Sequence, residues 1–241
     1  MPDSFYQPGV QRSAKVQELF TRIAPRYDLI NDLQSFGLHR CWKNRLIALA
    51  EPKSGERALD LCTGTGDVAF ALARNGAASI GLDFNQAMLA IASARASTAP
   101  ASGRGDGPAF LCGDAMRLPF ADNSFAIVSV AYGLRNLADW EQGLREMFRV
   151  GAPGCRLLVL DFGKPQNALW RTIYFAYLKI VVPLFGKIFC GDSATYRYIF
   201  ESLKNYPGHR GVAAKMSEMG CREVRSISLL GGVMGISVGK K

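Results

Sequence analysis

Histidine is scarce in this chain of 241 residues, with only His39 and His209, and the six cysteines never form a Cys-x-x-Cys pair. Scattered cysteines of this kind exclude a zinc ribbon and a disulfide framework; they predict reduced thiols and no metal site. An uninterrupted apolar run of about 20 residues, the length a membrane span needs, is also missing. The longest apolar stretch, 174–190, is broken by Lys179 and Lys187 and carries Pro183 at its middle, where a helix would kink. The chain opens on polar Pro2, Asp3 and Ser4 rather than on a charged and then apolar leader, so a cytoplasmic protein is expected. No internal repeat is visible, which excludes solenoid architectures.

What is present is a chain of 49% hydrophobic residues, long enough to bury a full α/β core. Short apolar runs at 57–62, 79–82, 109–112, 125–130 and 156–160 read as buried strands. Helical patterns at 68–74, 86–96 and 140–149 lie between them, and such alternation predicts a parallel sheet. Before the first strand, residues 16–50 are helical in pattern with a break at Pro25. The expected layout is a single domain: a helical cap over 1–51, a cofactor-binding core over 52–162, an apolar substrate cap over 163–215 and strands over 216–241. Residues 99–108 read as a surface loop. The net charge of +9 is spread along the chain without interleaved stacking aromatics, so no nucleic-acid partner is expected. The same charge suits peripheral contact with an anionic membrane at its inner face. A homodimer is compatible with the chain as well.

The sharpest signal is at 58–67, where a short apolar strand runs into Gly64 and Gly66 and then into a helical pattern. Glycines here let backbone amides approach a ligand at the positive end of the helix. One strand later comes Asp83, where a βαβ unit places a carboxylate on ribose hydroxyls. The run Gly64-Thr-Gly66-Asp-Val-Ala69 also satisfies the permissive dinucleotide pattern, so a nicotinamide dehydrogenase competes. Against it stand the acids Asp60 and Asp67 beside the loop and the absence of a Tyr-x-x-x-Lys pair for hydride chemistry. S-adenosylmethionine, which has a cationic amino-acid end and no pyrophosphate, accounts for those acids better. The competing roles are helix capping for Asp60 and Asp67 and turn formation for Asp83 and Asp114. Asp114 is the candidate partner of the adenine amino group.

The chain resembles the ubiquinone and menaquinone biosynthesis C-methyltransferase family over nearly its whole length. Six blocks in order carry the resemblance: 20–28, 31–39, 59–67, 118–120, the Tyr-Gly-Leu-Arg-Asn run at 132–136, and 193–198. It implies the class I S-adenosylmethionine-dependent methyltransferase fold, a Rossmann-like seven-stranded, mostly parallel sheet with a final antiparallel strand. It also implies methyl transfer to a ring carbon of a prenylated quinol. The family's cofactor contacts fall on Thr65, Asp83, Asp114 and Ala115, and one further contact falls on Ala131, where many members carry serine. Tyr132 and the C-terminal Gly231-Gly-Val-Met-Gly235 resemble the menaquinone and phylloquinone branch, with 2-demethylmenaquinol as the first substrate and ubiquinol or phylloquinol precursors as alternatives.

A ring carbon is a poor nucleophile until a neighbouring hydroxyl loses its proton, so the site must stabilise a phenolate. Arg135 and Asn136, following the fourth strand, are candidates to orient that oxygen. For Arg135 the competing role is a surface ion pair with Asp139 or Glu141. Tyr27, Asp28, Asn31, Asp32 and His39 can close over the cofactor and exclude water, with His39 a candidate base. His209 reads as solvent-exposed, and Tyr196, Arg197 and Tyr198 as lining the substrate mouth. Two rivals remain at this level: an RNA or protein methyltransferase, whose Asn/Asp-Pro-Pro-aromatic run is absent, and a non-catalytic cofactor-binding scaffold.

Overall fold

A computed structural model describes residues 10–98, 107–184, 202–203 and 206–241. Residues 99–106 of the expected loop at 99–108, and the mouth residues Tyr196, Arg197 and Tyr198, lie outside the described residues. Three helices come first, α1 (Val10–Ile23), α2 (Tyr27–Ser35) and α3 (Leu38–Ala50), with a single 3-10 turn, Ala24–Arg26, where Pro25 interrupts the pattern. Then β1 (Arg57–Leu61), α4 (Asp67–Arg74), β2 (Ala78–Asp83), α5 (Gln86–Thr98), β3 (Ala109–Cys112), β4 (Phe125–Ala131), α6 (Trp140–Val150) and β5 (Gly151–Phe162) alternate. After α7 (Ala168–Ala176), the helix α8 (Gly208–Glu218) precedes β6 (Arg222–Leu229) and β7 (Met234–Lys240).

The seven strands form one sheet in the order β3-β2-β1-β4-β5-β7-β6. Strands β1 to β5 are parallel, and β7 runs antiparallel to both of its neighbours. Strand order reverses between β1 and β4, and the crevice at their carboxyl ends is where open α/β sheets hold ligands. Alternate side chains serve opposite faces. Leu59, Leu61, Val128, Val130, Leu157 and Val159 join one core with Met88, Leu144, Met147 and Val212. Ala58, Ile127, Leu158 and Leu160 join the other, with Leu46, Ile47, Val68 and Leu72 from α3 and α4. Both faces are covered, which is why these strands read as continuous apolar runs; each fully buried leucine contributes about 1.5–3 kcal/mol.

Three differences from the sequence pattern have local causes. Strand β5 begins at Gly151 rather than near 156, because Gly151 pairs with Phe125 across a bulge before the regular ladder starts at Arg156. The segment 216–241 is not strand throughout, since α8 runs to Glu218. In the apolar stretch, α7 passes into a π turn, Tyr177–Val181, in which the Val182 N–H reaches back to the Tyr177 carbonyl. Pro183 follows at once; it has no N–H to complete the helical ladder, and the wider turn absorbs that loss.

Candidate active site at the carboxyl edge of the sheet

The chain leaves β1 through Cys62 at φ 52°, then passes Gly64 at φ 57° and Gly66 at φ 90° before α4 begins. A Cβ on Gly66 would also meet the Phe110 ring at 2.8 Å, so glycine is required there twice over. Four carboxylates surround this loop, each with its own partners. Asp60 is buried, accepts hydrogen bonds from the hydroxyls of Thr63 at 2.7 Å and Ser129 at 2.8 Å, and burial pushes its carboxyl up to about 7. Asp83 accepts the Gly64 N–H at 2.8 Å and the Asn85 N–H at 2.9 Å, yet burial still raises it above the usual carboxylate range. Burial would raise Asp67 too, but Lys43 and Arg95, each at 2.8 Å, outweigh it and hold that carboxyl at about 2. Asp28 of α2 accepts the Thr65 hydroxyl at 2.9 Å and ties the N-terminal helices to the loop.

Asp67 does not cap α4: the cap position is Gly66, without a side-chain bond, and the Asp67 carboxylate is engaged by the two cations. Asp114 is exposed and its Oδ1 accepts the Met116 N–H at 2.8 Å, a turn contact, while Ala115 is buried in the core.

Two pockets open along this edge. The smaller, about 50 Å³, is lined by Gly64, Asp83, Ala131 and Asn136, with Val16 and Phe20 of α1 across it. A cavity of about 150 Å³ takes one benzene ring, so the smaller pocket as it stands is too small for a nucleoside. The larger, about 330 Å³, is walled by aliphatic and aromatic side chains of α1, α2, α3, α7 and the turn before β7. Phe20, Tyr27 and Tyr132 line both pockets and form the wall between them.

The structure separates two candidates that are adjacent in sequence. Asn136 lines the smaller pocket, and Arg135 lines the larger one together with His39. Arg135 is buried, and the competing surface pair with Asp139 or Glu141 does not form; Arg145 takes Asp139, and Arg145 and Lys215 share Glu141. Its partner is Asp161 at the end of β5: Nη1 lies 2.6 Å from Oδ1, and the Arg135 backbone N–H donates to Oδ2 at 3.1 Å. The guanidinium also lies 4.5 Å from the Phe162 ring centroid. His39 is buried, and burial lowers its pKa, which keeps the ring neutral at neutral pH; Nδ1 meets the Ser35 hydroxyl at 2.8 Å, and Nε2 lies 3.7 Å from Asp32. Burial raises the Tyr27 phenol, which therefore stays protonated.

His209 is buried rather than exposed, because Gly208 starts α8, which packs on β7 and places Nε2 2.9 Å from the Ser228 hydroxyl. Sequence reasoning missed Asp161 and Phe162, whereas Trp170, Tyr174 and Tyr177 fall within the segment it read as an apolar substrate cap. Asp161 carried a usable signal, an acid at the carboxyl end of a central strand like Asp83. Phe162 carried none beyond its apolarity.

A sequence model of the ubiE/COQ5 methyltransferase family matches residues 9–241. The chain belongs to this family. It is 42% identical over 225 residues to the demethylmenaquinone methyltransferase of Thermus thermophilus, covering 92% of this chain and 100% of that protein. It is 38% identical over 237 residues to the ubiquinone/menaquinone biosynthesis C-methyltransferase UbiE of Azotobacter vinelandii, covering 97% of this chain and 92% of that one. Membership in the ubiE/COQ5 family makes the protein a methyltransferase. Among solved structures, a SAM-dependent methyltransferase of Thermotoga maritima superposes with a TM-score of 0.63 at 17% identity, over 93% of this chain and 99% of that one. The SpnF cyclase does so with a TM-score of 0.61 at 18% identity, over 95% and 96%. A methyltransferase and a cyclase on one frame mean that these neighbours establish the Rossmann-like fold and not the reaction.

Proposed function

We propose that the protein transfers the methyl group of S-adenosylmethionine to a ring carbon of a prenylated quinol, with 2-demethylmenaquinol as the first candidate. The observation that carries this reading is the apolar cavity of about 330 Å³ set against the glycine-loop pocket across one shared wall. Twice the volume that takes a benzene ring suits a fused bicyclic head group. On the other side of the wall, Asp83 is placed to hold ribose hydroxyls, and a carboxyl group at that position disfavours a pyrophosphate. Bound there, S-adenosylmethionine supplies a methyl on a sulfonium; its carbon–sulfur electron pair stays with sulfur as the new carbon–carbon bond forms, and the ring carbon loses its proton. The apolar walls exclude water, and the neutral His39 ring in the cavity wall is a proton acceptor within the site.

The tail of such a substrate is too large for the cavity, and the surface around it suits a lipid face. Of the nine large apolar residues that are exposed among the described residues, all but Leu111 belong to the elements framing the cavity. They include Phe36, Leu38, Ile173 and Leu230, which also line it, and Ile180 and Leu184 beyond α7, with exposed Arg171 and Lys179 alongside. This arrangement supports docking on an anionic bilayer from which the quinol head enters. Incubation with labelled S-adenosylmethionine and reduced 2-demethylmenaquinol, beside a ubiquinol precursor and bulk RNA, tests the reaction: label in the naphthoquinol is expected, and label in RNA alone overturns it. Flotation with anionic liposomes at low salt tests the docking, and absence from the lipid fraction removes it.

A further inference from the structure

Tyr132 follows β4 directly, and its backbone sits at φ 62°, a left-handed conformation that a bulky L-residue adopts only under constraint. Three bonds supply that constraint. The Tyr132 N–H donates to the Leu160 carbonyl at 2.7 Å, and its own carbonyl accepts from Arg135 Nη1 at 2.5 Å and Asn136 Nδ2 at 3.2 Å. Arg135 is itself held by Asp161. The two residues that sequence reasoning chose to orient the acceptor therefore converge on one backbone oxygen, that of Tyr132.

The side chain so placed sits in the wall common to both pockets, edge-on to Phe162 at 6.2 Å between centroids. Its hydroxyl is buried and has no hydrogen-bond partner among the described residues. A phenylalanine would fill the same space without leaving a buried hydroxyl unsatisfied, so the hydroxyl is available to a partner that is not part of this chain. Burial keeps the phenol protonated far above neutral pH, which makes it a standing donor.

We propose that the Tyr132 hydroxyl donates a hydrogen bond to the acceptor's ring oxygen, and that Arg135 and Asn136 are positioning residues that act by holding Tyr132. This rests on the quinol reading, and it shifts the contact with substrate from the guanidinium to the phenol.

Two probes that differ by one hydroxyl test it without turnover: 1-naphthol carrying a geranyl chain at carbon 2, and naphthalene carrying the same chain. Calorimetric titration of the wild-type protein is expected to favour the naphthol by about fivefold or more, the value of one hydrogen bond. Tyr132→Phe, which keeps the ring, is expected to bind both probes equally while its affinity for S-adenosylmethionine stays within about twofold of wild type. Arg135→Ala is expected to erase the same preference, Arg135→Lys to restore part of it, and the double variant Tyr132→Phe with Arg135→Ala to lose nothing further, since both act on one contact. An undiminished naphthol preference in Tyr132→Phe overturns the assignment alone. Failure of the wild-type protein to bind either probe overturns the quinol reading and the assignment with it.

Discussion

The two pockets on either side of the Phe20–Tyr27–Tyr132 wall differ in where their polar groups come from. In the smaller one they come from strand ends: Gly64, Asp83 and Ala131 each stand within three residues of one, the Gly64 N–H donates to Asp83 across adjacent loops, and Val16, Phe20 and Met88 complete an otherwise apolar lining. The larger one is apolar and assembled from afar, with Phe20, His39, Arg135, Tyr174 and Val233 contributed by segments up to about two hundred residues apart. Cationic, hydrogen-bonding ligands need a few groups at fixed angles, which one strand-loop-helix turn supplies. An apolar head group needs surface, and surface comes only from packing distant elements together.

Breaking the support of the larger pocket should have the largest effect. Asp161→Ala leaves Arg135 buried without its carboxylate, and a loss of about 3–5 kcal/mol in unfolding free energy is expected from urea titration. A loss below about 1 kcal/mol would mean that the pair carries little of the site. On the other side of the wall, Asp83→Ala should weaken S-adenosylmethionine binding by roughly 10- to 100-fold, the range for a hydrogen bond to a charged group. Binding of the prenylated naphthol should barely change, and calorimetry of both ligands would show whether the two halves are as independent as their construction suggests.

The carboxylates around the glycine loop should also pull stability in opposite directions with pH. Asp60 is raised to about 7, so the folded state holds a proton that the unfolded chain releases near 4. Its contribution is present at low pH and is lost as pH rises through about 7. Asp67, held at about 2, contributes above pH 4 and is lost only as pH falls through about 2. His39 and His209, lowered by burial, contribute above about pH 6.5 and lose that contribution as pH falls, opposing Asp60 in part. Asp60→Asn should therefore flatten the decline in stability between about pH 4 and 7, read as melting temperature against pH; an unchanged slope would assign the decline to another group.

The smallest effect is expected from the tail. With room in the cavity for a bicyclic head and little more, kcat/KM in matched detergent micelles should change by less than about threefold between two and eight isoprene units. A steady gain with length would mean that the tail is gripped along its course rather than released at Phe36, Leu38 and Leu230.

How much of this was legible beforehand follows the same division. The β1 loop, the alternation of strands and helices, and Asp83 at the end of β2 could be read because each depends on spacing within about thirty residues. Arg135 could be read as important but not in what way, since the Asp161 that holds it is 26 positions on and two strand ends meet to pair them. His209 looked exposed beside Pro207 and Gly208 because nothing local announces that the helix it opens packs on β7.

The amino-acid order by itself determined the sheet, the glycine loop and the acid one strand later, because strand period, turn chemistry and the βαβ spacing are short-range rules. Only the tertiary structure decided that Tyr27 and Tyr132 share a wall, that Asp161 rather than a surface acid neutralises Arg135, and that α7 closes an apolar chamber beside the loop. Those contacts depend on side chains that meet solely because distant elements bury the same surface, and burial of that kind leaves no periodic mark along the chain.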